Sequence, residues 1–348
     1  MKLEGLSFVF SGGLVEPGLK VDGLSSCARL RRSNIVRMGA LNSGEGFNGE
    51  YVASARDPSR KIFYRRRGPE GTPASGLLIV HGYLWHSAWF WELARDLSQE
   101  ALTEVHAIDL PSHGLSDNID GLRAYAKTSD DFLDEIEAAL ERLRSTLPDG
   151  APVFILAESF GAVLVLLLNL NPRFSDLFQG VVLCSPVLKP NEDIVPPRIL
   201  LTIMGLMRNV FPTAVLPGQA VSGTTWADAF GDPVAVELSQ NDPLVGYGEP
   251  MRLAFAASMF DAIDRIVAGL GSMKLRNLLI LHNEGDTRTS ISNAELIMKE
   301  VQVTGRKKLV RIPGRGHQVF QDAPERRLEH IREVVSFVKE MTAQKASQ

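Results

Sequence analysis

The sequence predicts an α/β protein built on a doubly wound, mostly parallel sheet of about eight strands. Short apolar, strand-like segments alternate with amphipathic helical segments from about residue 50 onward. The 348 residues are 45% hydrophobic and 22% charged, which is typical of a globular chain able to bury a large core. One long interval, from about 187 to 274, interrupts the alternation and predicts an insertion between two core strands.

The alternation begins with two runs, "EYVASAR" and "KIFYRRR", separated by "DPS", a pattern typical of an antiparallel hairpin. Six further strands follow, most of them paired with a helix. They are "LLIVHG" with a helix from about 88 to 100, "VHAIDL" with a helix from about 129 to 147, "VFILAE" with the helix after Ser159, "GVVLCSP", "NLLILHNEG" with the helix "NAELIMKEV", and "KLVRIPG" with a helix from 326 to 341.

We interpret the interval 187–274 as a helical lid over the strand ends. It carries Pro190, Pro196, Pro197, Pro212 and Pro217 together with the apolar helical pattern "RILLTIMGLMRNVF". The Met and Leu residues on one side of this helix favour packing into the core. A lid helix can also contact a ligand. The predicted organisation is an extension over 1–48, one domain over 49–341 that includes the lid, and a tail over 342–348.

Composition argues against several other classes of protein. The net charge of -4 gives no electrostatic case for nucleic acid as a partner, and we interpret the densest basic run, Arg65–Arg67, as a solvated strand end. Cys27 and Cys184 lie far apart without a metal-ligand cluster, so we expect no disulfide framework, metal or cofactor. The apolar run over 162–168 is far shorter than the ~20 residues of a membrane span and predicts a buried helix.

The N-terminal extension leaves the location open. Residues 24–44, "LSSCARLRRSNIVRMGALNSG", are rich in Arg and Ser and free of acids, as in plastid or mitochondrial transit peptides. Three acids, Glu4, Glu16 and Asp22, precede that stretch. We therefore predict a cytoplasmic protein, peripheral to membranes, whose extension has no targeting function, with import into a plastid or mitochondrion as the alternative.

Ser159 is the first candidate for chemistry. It lies between the predicted strand "VFILAE" and a helix that begins at Phe160, the strand–turn–helix context of a nucleophilic serine. Ala157 occupies the first glycine position of the G-x-S-x-G pattern, whereas Gly161 keeps the second. By itself this pattern is equally compatible with a serine that caps the helix.

A serine hydroxyl needs a base, an orienting acid and donors for the oxyanion. His317, in "PGRGHQVFQD", is the histidine that follows the last core strand and every candidate acid. Asp286, just past Gly285 in "LILHNEGDTRTS", is the expected acid, with Glu284 as the alternative. The other histidines lie in a strand, in the last helix, at a strand end or in early loops.

The predicted oxyanion donors are two backbone N–H groups, one directly after the nucleophile and one in the loop after an earlier strand. One belongs to Phe160, the residue after the nucleophile, and the other to Tyr83, which follows His81 and Gly82 at the end of "LLIVHG". We expect His81 to support the loop by hydrogen bonding.

These motifs, in this order, resemble those of the monoglyceride lipase and lysophospholipase branch of the α/β-hydrolase superfamily, whose domain is often labelled serine aminopeptidase S33. The resemblance covers about residues 50 to 341. It rests on "HGYLWHS", "DLPSHGLS", "AESFGA", "NDPL", "NEGD" and "GRGH". Ala157, Ser112 and Ala162 stand where the family pattern has glycine.

The resemblance implies an α/β-hydrolase fold with a helical lid before the acid-bearing strand. It assigns a catalytic triad of Ser159, Asp286 and His317, with an oxyanion hole formed by the N–H groups of Tyr83 and Phe160. His81, Gly82 and Gly161 are assigned supporting positions.

The activity that the resemblance implies is hydrolysis of a lipid-like ester, a monoacylglycerol or a lysophospholipid, with transient contact to a membrane surface. An aminopeptidase or amidase is the alternative, with Glu158 or Asp242 as the anchor for an α-amino group. A non-catalytic ligand-binding protein of the same fold is the alternative of another class. No oligomeric state is predicted.

Overall fold

The computed structural model describes residues 47–346 with the exception of 176, 190–197, 217–228 and 247. Residues 1–46, with Cys27 and the candidate targeting segment, therefore lie outside the described residues, as do Pro190, Pro196, Pro197 and Pro217 of the predicted lid. The last helix ends at Ala346 rather than at Met341, so most of the predicted tail is helical.

Ten strands and nine α-helices form in the described part of the chain. The strands are β1 Asn48–Ala53, β2 Lys61–Arg67, β3 Ser75–Val80, β4 Thr103–Ile108, β5 Val153–Glu158, β6 Gly180–Cys184, β7 Lys274–Leu275, β8 Leu278–Asn283, β9 Gln302–Val303 and β10 Lys307–Ile312. The helices are α1 Trp91–Glu100, α2 Asp130–Arg144, α3 Phe160–Asn169, α4 Pro172–Ser175, α5 Arg198–Met207, α6 Pro233–Gln240, α7 Leu253–Gly269, α8 Ser292–Glu300 and α9 Pro324–Ala346.

Eight of these strands form one sheet in the order β1-β2-β4-β3-β5-β6-β8-β10, and β7 and β9 form a separate short ladder. The predicted hairpin is present, because β1 pairs antiparallel with β2 and β2 pairs antiparallel with β4, whereas the remaining pairs of the large sheet are parallel. The doubly wound α/β fold expected from the sequence is confirmed. Since β3 lies directly between β4 and β5, the loops that leave β3 and β5 meet at the same edge.

Each face of the sheet packs against its own hydrophobic core. On β5, Ile155 and Ala157 belong to one core, with side chains of α2, α3, α7 and α8. Phe154 and Leu156 belong to the other, with side chains of α1 and α9. Because successive side chains of a strand point to opposite faces, both faces of the central strands are apolar, and their sequences are nearly continuous hydrophobic runs.

The expectation that Arg65–Arg67 form a solvated strand end is wrong for Arg65. Its side chain is buried, and its guanidinium lies 4.9 Å from the centre of the Phe63 ring. Arg66 lies outside and pairs with Glu104 at 3.1 Å. The reason is that side chains alternate along β2, so Arg65 lies on the same face as Phe63 and packs over its ring, whereas Arg66 lies on the opposite face.

The predicted lid contains α5, α6 and α7 among its described residues. Helix α7 packs against α3, the helix that follows Ser159. A group of large apolar side chains on and after α5 is exposed: Ile203, Leu206, Met207, Val210, Phe211 and Val215. Within the described residues, no helix has both the length and the apolar character that crossing a bilayer requires.

Candidate active site

Ser159 lies on a sharp turn between β5 and α3. Its φ of 52° and ψ of -116° place a non-glycine residue in a strained backbone region, as expected for a serine held at a strand-to-helix turn. The turn is fixed by a hydrogen bond from Ser159 N–H to the Cys184 carbonyl at 2.9 Å. The Ser159 side chain makes no capping hydrogen bond to α3, although the sequence pattern allowed one.

Glycine is required at position 161 because of the strand beside it. A Cβ at Gly161 would lie 2.5 Å from the Val80 carbonyl oxygen and 2.7 Å from that of His81. Neither backbone oxygen can move aside cheaply, so α3 approaches β3 this closely only with glycine here.

The three departures from the glycine pattern each have room for a side chain. Ala157 is fully buried in a regular part of β5, and its methyl group belongs to the core. Ala162 is likewise buried in that core. Ser112 has the left-handed φ of 63° that favours glycine, and its hydroxyl accepts the N–H of Ile119 at 2.9 Å.

Ser159, His317 and Asp286 form one hydrogen-bonded line. The Ser159 hydroxyl donates to His317 Nε2 at 2.8 Å, and His317 Nδ1–H donates to Asp286 Oδ2 at 2.8 Å. The structure thus brings together the three side chains that the sequence singled out. Glu284, the alternative acid, is exposed and lies 3.9 Å from Arg311.

Asp286 is held as an anion. Burial acts to raise its pKa, but the charge of His317 and hydrogen bonds from His317, His282 and Thr289 outweigh burial and hold the pKa well below its usual range. The Thr289 hydroxyl donates to Oδ2 at 2.8 Å, and the N–H groups of Arg288 and Thr289 donate to Oδ1 at 2.8 and 3.0 Å. A fixed anion on Nδ1–H sets the imidazole tautomer and leaves Nε2 free to accept a proton.

Sequence reasoning missed several residues that hold the histidine loop. The Ser185 hydroxyl donates to the His317 carbonyl at 2.8 Å, and the Asn283 amide donates to the Gly316 carbonyl at 2.5 Å. Thr289 was missed as well, although the spacing D-x-x-T in "DTRT" is a local signal for a threonine that bonds back to an aspartate. Ser185 and Asn283 carry no such signal, because their partners lie more than 30 residues away in the chain.

The two predicted oxyanion donors lie on adjacent elements. A Cβ at Gly82 would lie 3.2 Å from Ser159 Cβ, so the loop after β3 approaches the serine closely. Phe160 begins α3, where backbone N–H groups have no acceptor within the helix. The rings of Tyr83 and Phe160 pack edge to face at 6.3 Å, and both contact Phe255 of α7.

His81 supports this loop, as expected. Its Nε2 accepts the N–H of Leu110 at 2.9 Å, and its Nδ1–H donates to the Gly82 carbonyl at 2.7 Å. Burial lowers the pKa of His81 to about 3, with the neighbouring His113 adding to the effect. The ring is therefore a neutral hydrogen-bonding link between the loops after β3 and β4.

Both carboxylates suggested as anchors for an α-amino group have other partners. Asp242 Oδ2 accepts from His86 Nε2–H at 2.9 Å and from Trp89 Nε1–H at 3.0 Å. Glu158 is fully buried behind the serine, with Gln318 beside it. The site thus offers neither carboxylate to a substrate ammonium group. Across the residues described, no cluster of three or more His, Cys, Asp or Glu side chains could hold a metal ion.

Known proteins are similar to this chain over most of its length. Residues 71–324 match the family described as "Serine aminopeptidase, S33". Human monoglyceride lipase is 26% identical over 283 residues, which cover 81% of this chain and 88% of that protein.

Two solved structures of named lipases have the same fold. The monoacylglycerol lipase of Paleococcus ferrophilus superposes with a TM-score of 0.66 at 23% identity, covering 80% of this chain and 99% of that one. The monoglyceride lipase of Saccharomyces cerevisiae, in complex with a substrate analog, superposes with a TM-score of 0.71 at 13% identity, covering 86% and 96%. At these identities the likeness of the structures concerns the fold.

Proposed function

Because the chain belongs to the serine aminopeptidase, S33, family and has the α/β-hydrolase fold, we propose that it hydrolyses lipid-like esters through an acyl-enzyme formed on Ser159. Its family and relatives place it among the serine carboxylic ester hydrolases. The observation that carries the mechanism is the hydrogen-bonded line from Ser159 through His317 to Asp286. A protein that only binds ligands has no need of this line.

In the proposed reaction, His317 Nε2 removes the hydroxyl proton as Ser159 Oγ attacks the ester carbonyl. The negative charge that develops on the carbonyl oxygen is held by the N–H groups of Tyr83 and Phe160. His317 then gives its proton to the leaving alcohol. Water, activated by the same imidazole, hydrolyses the acyl-enzyme and restores Ser159.

A monoacylglycerol or a lysophospholipid is the proposed substrate. Two observations support an acyl chain: the apolar packing of Tyr83, Phe160 and Phe255 beside the serine turn, and the named activity of the relatives as monoglyceride lipases. The occupied carboxylates Glu158 and Asp242 speak against an aminopeptidase, which has to bind a substrate ammonium group.

Transient contact with a membrane surface is also proposed, because the substrate is expected to reside there. The support is the exposed apolar group on and after α5, in which Leu206 is 73% and Val210 68% exposed. A cytoplasmic location is compatible with such contact. Import into a plastid or mitochondrion depends on residues 1–48 and remains the alternative proposal.

The proposed nucleophile is tested with a fluorophosphonate probe, which reacts with activated serines. We expect labelling of the wild-type chain and of Ser145→Ala, a surface control after α2, but not of Ser159→Ala. Equal labelling of Ser159→Ala and wild type would contradict the proposal. Hydrolysis of monoacylglycerols, lysophospholipids and aminoacyl anilides by the same three proteins then separates lipase, lysophospholipase and peptidase activity.

A further inference from the structure

Glu158 is a fully buried acid directly before Ser159, at the end of β5. Side chains alternate along a strand, so Glu158 points to the same face as Leu156, toward the loop that follows His317. With its nitrogen turned toward Glu158, the Gln318 amide lies 2.5 Å from Oε2 and 2.8 Å from Oε1. The Val319 N–H also interacts with this carboxyl group.

This contact links the two chain segments that carry the reacting pair. Glu158 is adjacent in sequence to Ser159, and Gln318 is adjacent to His317. The Ser159 hydroxyl and His317 Nε2 are 2.8 Å apart. The distance between these two atoms therefore depends on how firmly the end of β5 is joined to the histidine loop.

Other hydrogen bonds join the histidine loop to different strands. Ser185, at the end of β6, donates to the His317 carbonyl, and Asn283, at the end of β8, donates to the Gly316 carbonyl. On the helical side, His330 Nδ1–H donates to the Val319 carbonyl at 2.9 Å. The Glu158 contact adds the connection to β5, the strand that leads into the nucleophile.

We propose that Glu158 and Gln318 are a pair of positioning residues that fixes His317 against Ser159 for proton transfer. The proposal rests on the function proposed above, since it assigns these two residues a part in that reaction. Neither residue touches substrate. Their effect is expected in the turnover step rather than in binding, because a base displaced from its nucleophile loses rate without losing substrate contacts.

The surroundings of Glu158 explain how a buried acid is accommodated close to the charge of Asp286. Burial raises its pKa to about 8, the Val319 N–H lowers it in part, and the charge of Asp286 raises it further. Three other titratable groups lie near Glu158. Cys184 is on the neighbouring strand, His317 directly precedes Gln318, and His330 donates to the Val319 carbonyl. The raised pKa favours the protonated carboxyl group, and protonation lessens its repulsion of Asp286.

The test is a double-mutant cycle with Glu158→Ala and Gln318→Ala, measured with a soluble short-chain p-nitrophenyl ester. Each single variant is expected to lower kcat about tenfold or more, with KM within about twofold of wild type. The double variant is expected to lose no more than the worse single variant, because both changes remove the same contact. Glu158→Gln, which keeps the size and the hydrogen-bonding capacity of the neutral acid, is expected to restore most of kcat.

Gln321→Ala is the matched control, since Gln321 lies in the same loop and donates to the Trp89 carbonyl at 3.2 Å, away from the triad. It is expected to leave kcat unchanged. If Glu158→Ala does not fold, Gln318→Ala and Glu158→Gln still decide the question. Full kcat in Gln318→Ala, an effect on KM alone, or additive losses would overturn the pairing.

The outcomes separate this proposal from the proposed function. If wild type hydrolyses esters, Ser159→Ala does not, and the Glu158 and Gln318 variants keep wild-type kcat, only the positioning pair is refuted. If Ser159→Ala retains activity, the proposed function itself fails.

Discussion

Thr289 and His317 share one carboxylate oxygen. The Thr289 hydroxyl donates to Asp286 Oδ2 at 2.8 Å, and His317 Nδ1–H donates to the same oxygen at 2.8 Å. The hydroxyl is itself 3.3 Å from His317 Nδ1. Asp286 is thereby held by Thr289 in the orientation that it presents to the imidazole.

We expect Thr289→Val to lower kcat about tenfold, because a hydrogen bond to a charged group contributes about 1.5 to 3 kcal/mol. Valine keeps the shape and the backbone N–H that donates to Asp286 Oδ1. The measurement is kcat for a short-chain ester, with the exposed Thr304→Val as control. Wild-type kcat in Thr289→Val would show that the backbone donors hold Asp286 by themselves.

The two small positions around Ser159 predict opposite outcomes. Gly161→Ala places a methyl group 2.5 Å from the Val80 carbonyl oxygen and has to push α3 away from β3. Because this displaces Phe160 N–H, we expect at least a hundredfold loss in the rate of fluorophosphonate labelling.

Ala157→Gly removes a buried methyl group and is expected to cost roughly 1 kcal/mol of stability with kcat within about twofold of wild type. A several-fold gain in kcat from Ala157→Gly would show that the methyl group distorts the turn.

Much of the fold and the hydrogen-bonded arrangement of Ser159, His317 and Asp286 could be predicted from the sequence, for a physical reason. Strands buried on both faces appear in the sequence as apolar runs, so their ends can be located. Ser159, Asp286 and His317 each follow the carboxyl end of such a strand, where ligands bind in parallel sheets. Their meeting at one edge follows from parallel pairing.

Contacts between distant side chains could not be predicted in this way. From the sequence, Glu158 was a candidate to bind a substrate ammonium group. In the structure its side chain is buried and lies against Gln318. Arg65 was expected to be solvated, but it is buried on the face of β2 that carries Phe63. In both cases the outcome depends on which element packs alongside, and the local pattern does not contain that information.

Two buried histidines predict a loss of stability in mild acid. Burial lowers the pKa of His81 to about 3 and that of His113 to about 4, whereas both return to their ordinary value of 6.5 on unfolding. Below pH 6.5 both histidines bind a proton in the unfolded chain but stay neutral in the native chain. The free energy of unfolding therefore falls as the pH drops from 6.5 toward 4. At pH 5 the expected cost is about 2 kcal/mol for each histidine.

Urea unfolding at pH 7 and pH 5 checks this expectation. In His113→Gln the difference in unfolding free energy between the two pH values is expected to shrink by about 2 kcal/mol. His330→Gln is the comparison, because the lowering of the His330 pKa by burial is opposed by its hydrogen bond to the Val319 carbonyl and by the charges of Asp322 and Glu329. A pH dependence identical in wild type and His113→Gln would contradict the assignment.

The exposed apolar group of the lid predicts binding to lipid vesicles. We expect Leu206→Gln combined with Val210→Gln to weaken sedimentation with phosphatidylcholine vesicles several-fold, while turnover of a soluble ester is unchanged. Val267→Gln, an exposed valine on α7, is the matched control. Vesicle binding that is equal in all three proteins would rule out this surface as the contact.

The contacts of Phe255 predict that α7 helps to hold the backbone of Tyr83 and Phe160, the proposed oxyanion donors. Its ring stacks on Tyr83 at 4.5 Å and meets Phe160 edge to face at 5.2 Å, so one side chain of α7 contacts both donor residues. In Phe255→Leu we expect the loop after β3 to lose this support and kcat to fall about tenfold, with a loss of roughly 1 to 2 kcal/mol in stability. Phe337→Leu, in the core on the other face, is expected to lose similar stability and to keep wild-type kcat. If the two variants lost kcat equally, the effect of Phe255 would be one of general stability, and the aromatic contact would have no separate part in placing the Tyr83 and Phe160 N–H groups.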